Sequence, residues 1–165
     1  MNRPLPIPQR RGFTMIEIVL VLVIISTAMA LSAPSLRGWG QGAKLRDASE
    51  QFVSATRWSR AQAIATATPH RIDVDAANAS YSVTVQRGSE HVPVAGDLGR
   101  PTVLPEGYRI QLASGGEDAQ GIAFHPNGRS TPAVVRFTST TGETVEVACA
   151  FPADLFKVTP AGGAP

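Results

Sequence analysis

The chain has 165 residues, with 15 Lys and Arg against 13 Asp and Glu, 43% hydrophobic and 17% charged residues, and one cysteine. That is the length of one ordinary domain, too apolar and too nearly neutral for a disordered acidic or basic tail. The lone cysteine excludes an internal disulfide framework and a cysteine-rich metal site, and 15 Gly and 13 Pro point to many turns and short strands rather than a helical bundle.

Residues 1–12, MNRPLPIPQRRG, hold three prolines, the arginines Arg3, Arg10 and Arg11, and no acid, the composition of a targeting segment. An apolar run from Phe13 to Ala33 follows, 21 residues with a single charge at Glu17. As a helix it would be about 31 Å long, matching a bilayer core of about 30 Å. Basic residues before it and none within it put the N-terminus in the cytoplasm and everything after Pro34 outside the inner membrane. Three readings compete. Small residues at Ala28-Met29-Ala30 would suit a secretory signal peptide cut before Leu31, and a plain membrane anchor is the second. The third starts from Glu17, because a carboxylate inside a membrane helix costs at least ~2.5–3.5 kcal/mol and marks function by default.

The junction RRGFTMIE, Arg10 to Glu17, resembles the prepilin leader and first helix of type IV pilins and type II secretion pseudopilins. The resemblance implies cleavage by a prepilin peptidase between Gly12 and Phe13, N-methylation of Phe13, and subunit assembly through Glu17, with a helix bend at Pro34. Pro34 falls twenty-second in a chain that begins at Phe13. The new amino group at Phe13 is then the cation a neighbouring subunit offers to Glu17, and pairing offsets the burial cost of both charges.

Beyond Pro34, Gly38, Gly40 and Gly42 each cost a helix about 1 kcal/mol relative to Ala, so a bent or melted stretch is expected there. Leu45, Ala48, Phe52, Ala55, Trp58, Ala61 and Ile64 then recur at three- and four-residue spacing, an amphipathic stripe. The helix should end at Thr68-Pro69. Lys44, Arg46, Asp47, Glu50, Arg57 and Arg60 lie mostly off the stripe, as a solvated face. Alternating apolar and polar residues over Arg71–Asp75 and Tyr81–Val85, around Ala76–Ala79, read as a hairpin. Further strands are expected over Tyr108–Leu112, Gly121–Phe124, Ala133–Thr138, Glu143–Ala148 and Leu155–Val158, separated by turns at Ser114-Gly115-Gly116, Pro126-Asn127-Gly128 and Thr140-Thr141-Gly142. Glu90–Pro105 reads as a loop. The layout is leader 1–12, membrane helix 13–33, amphipathic helix 34–68, β-rich domain 69–159 and disordered tail 160–165: an α+β, pilin-like chain whose long helix packs on an antiparallel sheet.

The run from Gly121 to Ala150, with its Phe124-x-Pro126-x-Gly128 turn and following hairpin, is similar to the domain shared by the minor pseudopilin H of type II secretion and the FimT minor pilins. The resemblance implies a subunit of a periplasmic filament, with other pseudopilins, the prepilin peptidase and an inner-membrane assembly platform as partners. No catalytic constellation is legible, so an enzyme is not expected, and no cofactor or metal is expected. His70, His91 and His125 stand far apart as surface or loop residues, Cys149 alternates with Val145 and Val147 as a small core residue, and Glu117-Asp118, two adjacent carboxylates in a Gly-flanked loop, are a weak signal for calcium. The rival reading, a FimT-like pilin in pilus assembly or DNA uptake, needs clustered cations. Without the three leader arginines the chain has 12 basic and 13 acidic residues, and beyond Pro34 12 of each, so nucleic-acid binding is disfavoured.

Overall fold

The computed structural model describes the backbone over residues 13–114 and 121–160 and the side chains over 13–29, 42–113 and 121–159. The leader, the turn at Gly115-Gly116, the pair Glu117-Asp118 and residues 161–165 of the expected tail lie outside the described residues. The chain divides into two units, Met1–Arg37 and Gly38–Pro165.

Helix α1 runs from Met15 to Thr66. It continues through Gly38, Gly40 and Gly42, where melting was expected. The penalty of about 1 kcal/mol per glycine is a weak preference that surrounding helix overrides, and Gly42 has a packing use: a Cβ there would stand 3.0 Å from a carboxylate oxygen of Glu143. The helix stops two residues before Thr68, with Ala67 at φ 52° and its N–H on the Ile64 carbonyl at 3.4 Å.

After the helix come β1 (His70–Asp75), β2 (Ser80–Arg87), β3 (Glu90–Pro93), a 3-10 turn (Asp97–Gly99), β4 (Thr102–Val103), β5 (Arg109–Ser114), β6 (Gly121–Phe124), β7 (Ala133–Thr138), β8 (Thr144–Cys149) and β9 (Lys157–Pro160). They form two antiparallel sheets rather than one: β3-β2-β1-β6 with β4 also beside β2, and β5-β7-β8-β9. The expected loop over 90–105 therefore contains two short edge strands. Gly88, at φ 64°, turns the chain so that Val92 pairs Val85 and Pro93 pairs Thr84, and Val103 pairs Ser80. Proline is tolerated in β3 because an edge strand leaves one row of backbone groups unpaired.

The buried face of α1 carries Leu45, Ser49, Phe52, Ala55, Thr56, Ser59 and Ala63. Ala61 and Ile64, expected on the stripe, are exposed, since the face advances through Ser59 and Ala63 instead. These are small side chains, so the helix can lie close to the sheets, and Thr56 and Ser49 satisfy their hydroxyls on the carbonyls of Val53 and Arg46, both at 2.7 Å. Phe52 joins the three layers. Its ring meets Tyr81 of β2 edge-on at 5.0 Å and Phe137 of β7 at 5.5 Å, while Ile72, Val83, Ile110, Ile122, Val135 and Val147 fill the space around it.

Candidate functional site

In the N-terminal unit, Phe13 stands just ahead of α1, and Glu17 lies in its first turn, with its N–H on the Thr14 carbonyl at 3.1 Å. An acid in a first turn is favoured by the helix dipole. From Phe13 to Met29 every side chain is exposed, Phe13 at 78% and Met15 at 88%. A continuous exposed apolar surface of this kind belongs against lipid or another protein. Among the described residues no helix is long and apolar enough to cross a membrane. The apolar run of the sequence continues to Ala33, past Met29, where description of these side chains stops. Pro34 lies within α1, and Gly12 lies outside the described residues.

The β domain offers polar features but, among the described residues, no group of three or more potential metal ligands. His91 and His125 are exposed as expected. His70 is not a surface histidine: it is 4% exposed, its Nδ1–H donates to the Thr68 carbonyl at 2.9 Å, and its ring meets Trp58 edge-on at 6.0 Å. Being the first residue of β1, four positions beyond the end of the helix, it is placed on the inward row of the strand, a position that spacing among histidines does not reveal. Cys149 is buried, its thiol donating to the Phe151 carbonyl at 3.1 Å.

Arg60, expected on a solvated face, is instead a fastener. Its Nη1 and Nη2 donate to the carbonyls of Asp154 at 2.6 Å and Ala153 at 2.9 Å, holding the 151–154 segment beside the turn at Pro126-Asn127-Gly128. In that turn Gly128 takes φ 77° with its N–H on His125, and the side chain of Asn127 accepts from the Arg129 N–H. Arg60→Ala should cost ~1–2 kcal/mol in a denaturant titration, and Arg60→Lys should restore less than half of it, because an ammonium cannot reproduce the planar fork. Full recovery with Lys would leave the charge alone as the cause.

At the other end of β1, the Asp75 carboxylate accepts from the Asn78 side-chain amide at 2.6 Å and from the N–H groups of Ala77 and Asn78, both at 3.0 Å. The Asn78 contacts chiefly hold its pKa below the usual carboxylate value. Burial pushes the Tyr81 phenol up to about 12, against a smaller opposite pull from the Thr102 side chain. Both serve the fold: one closes the hairpin turn, the other fills the core beside Phe52.

An exposed apolar helical segment, joined to a helix that packs on two small antiparallel sheets, defines a pilin-like subunit. Solved structures share the fold. The minor pseudopilin EpsH of the Vibrio cholerae type 2 secretion system matches over 74% of this chain and 99% of its own, with a TM-score of 0.64 at 13% identity. The type IV minor pilin FimU of Pseudomonas aeruginosa matches over 77% and 96%, with a TM-score of 0.57 at 14% identity. Sequence resolves the branch. The family described as Type II transport protein GspH matches residues 48–150, and the prokaryotic N-terminal methylation motif matches residues 7–33. Type II secretion system protein H of Xanthomonas campestris pv. campestris is 32% identical over 133 residues, which cover 79% of this chain and 73% of that protein. The chain belongs to the GspH family and is a minor pseudopilin of type II secretion. The motif and the family together imply a membrane-anchored protein with a periplasmic domain.

Proposed function

We propose that the chain is made as a prepilin, crosses the inner membrane once through residues 13–33 with its N-terminus in the cytoplasm, and is cut after Gly12 and methylated at Phe13 by a prepilin peptidase. An inner-membrane assembly platform then draws it into the periplasmic pseudopilus that drives folded proteins through the outer membrane. The observation that carries this reading is the methylation motif over 7–33 on the same chain as a GspH domain over 48–150. Glu17 supplies the assembly contact. In a lipid core its carboxylate is costly alone, and the amino group freed at Phe13 of the adjoining subunit offsets that cost by pairing with it. Pro34 sets the helix bend. Other pseudopilins of the filament are the partners, and the working parts are binding surfaces with no chemistry of their own.

The DNA-uptake reading is disfavoured by the charges of the domain. Among the described residues Arg46 pairs with Glu50 at 3.0 Å, Arg71 with Asp73 at 2.6 Å, Arg100 with Asp97 at 3.9 Å and Arg136 with Glu146 at 2.7 Å, whereas phosphate binding requires several cations acting together. Mass spectrometry of the protein extracted from membranes tests the processing: the expected chain begins with methylated Phe13, and a chain beginning at Leu31 would establish a cleaved signal peptide instead.

A further inference from the structure

Between the last turns of α1 and the β2–β3 corner of the first sheet lies a cleft of about 420 Å³, within the roughly 300–1,000 Å³ of ligand pockets. Trp58 and Gln62, four residues apart on one face of α1, line one side of it. Val85, Pro93 and Val94 line the other, and the ring of His70 borders it as well. His70 sets its chemistry. The residue is 4% exposed, and because a carbonyl can only accept, the bond from Nδ1 to the Thr68 carbonyl at 2.9 Å places the proton of the neutral ring on Nδ1. Nε2 makes no hydrogen bond among the described residues, so it keeps an open lone pair that calls for a donor. The Trp58 Nε1–H and the Gln62 side-chain amide are also without hydrogen-bond partners among the described residues, and both can donate.

A ligand matched to these groups has a flat apolar body, to lie against the Trp58 ring, Val85 and Val94. It carries a hydroxyl that donates to Nε2 of His70 and accepts from Trp58 or Gln62. A phenol has both properties. A phenyl ring lacks the hydroxyl, an indole lacks the acceptor, and a carboxylate offers Nε2 no proton. The rim decides how such a group arrives. Pro93 has no N–H, and the Val94 N–H is spent on the Val83 carbonyl at 3.1 Å, so β3 gives an incoming strand little to pair with. A partner therefore enters with a side chain. The two tyrosines of this chain are both buried, Tyr81 at 3% exposure and Tyr108 at 6%, so a second copy does not supply it.

We propose that the cleft beside Trp58 and His70 takes the side chain of an exposed tyrosine on a different protein. The proposal goes beyond the filament reading and concerns the GspH domain alone. The test uses the full chain, isotope-labelled in detergent micelles and titrated with N-acetyltyrosinamide or N-acetylphenylalaninamide, while NMR follows the side-chain nitrogens of His70 and Trp58. The expected result is a saturating shift at His70 Nε2 and Trp58 Nε1 with the tyrosine probe, and binding of the phenylalanine probe about tenfold weaker, the value of one hydrogen bond in a partly closed site. Gln62→Leu, a change on the helix surface, should weaken the tyrosine probe about fivefold and leave the phenylalanine probe unchanged. Equal binding of the two probes overturns the proposal, as do shifts confined to residues 13–33 or a His70 signal that does not move. In cells, p-benzoylphenylalanine in place of Gln62 should cross-link to a tyrosine-containing surface segment of another protein. Cross-links only to a second copy of this chain overturn the choice of partner.

Discussion

A Glu17→Gln chain is expected to reach the membrane, to lose its leader, and to be left out of the filament. Neutralising the residue removes a charge whose insertion costs at least ~2.5–3.5 kcal/mol, so entry into the bilayer becomes easier. On the proposed pairing, assembly suffers because the amino group at Phe13 of the adjoining subunit keeps its positive charge and loses its partner in a low-dielectric setting. Breaking a buried pair from one side costs about 3–5 kcal/mol, or roughly 10²–10⁴ in the association constant of each contact. Cross-linking in cells, followed by comparing how much of the variant and of the native chain is joined to other pseudopilins in membrane extracts, measures this directly. Undiminished incorporation would remove Glu17 from the assembly contact.

Phe52→Ala should unfold the β domain at much lower temperature. Phe52 is fully buried and is the residue of α1 whose ring touches an aromatic from each sheet, Tyr81 at 5.0 Å and Phe137 at 5.5 Å. Truncation removes those contacts and leaves a cavity that neither sheet can close without moving the other, so a loss of ~3–5 kcal/mol is expected, or roughly 10–20 °C in Tm for a domain of this size. Thermal unfolding followed by near-ultraviolet circular dichroism checks it. A loss below about 1 kcal/mol would mean that the helix is not what couples the two sheets.

What the sequence reveals follows the range of the interactions involved. The β1–β2 hairpin, β6 and β7 are legible because their alternation is local: Ile72, Val83 and Ile122 fall on the inward row and Arg71 and Asp73 on the outward one, within a few residues of turn signals. The edge strands β3 and β4 were hidden, since four and two residues in a proline- and glycine-rich stretch carry almost no period and exist only because β2 offers them backbone partners. The division of the strands into two sheets was equally hidden, because alternation gives a strand a face without saying which sheet owns it. The role of Arg60 is illegible for the same reason: its carbonyl partners lie 93 and 94 residues away. The glycines at 38–42 erred the other way, a true local preference outweighed by the helix around it. For the candidate site the balance is reversed. The proposed cleavage junction and Glu17 lie in eight consecutive residues, Arg10 to Glu17, whereas the burial of His70 and the fastening of the 151–154 segment by Arg60 exist only once the strands are folded.

Deleting the gene for this chain and measuring where exported proteins accumulate, with pilus-dependent DNA uptake followed in the same cells, tests the central claim most directly. The account predicts folded exoproteins held in the periplasm, their release restored by the native chain and not by Glu17→Gln, and DNA uptake unchanged. Normal secretion accompanied by loss of DNA uptake would contradict it and place the chain in a type IV pilus.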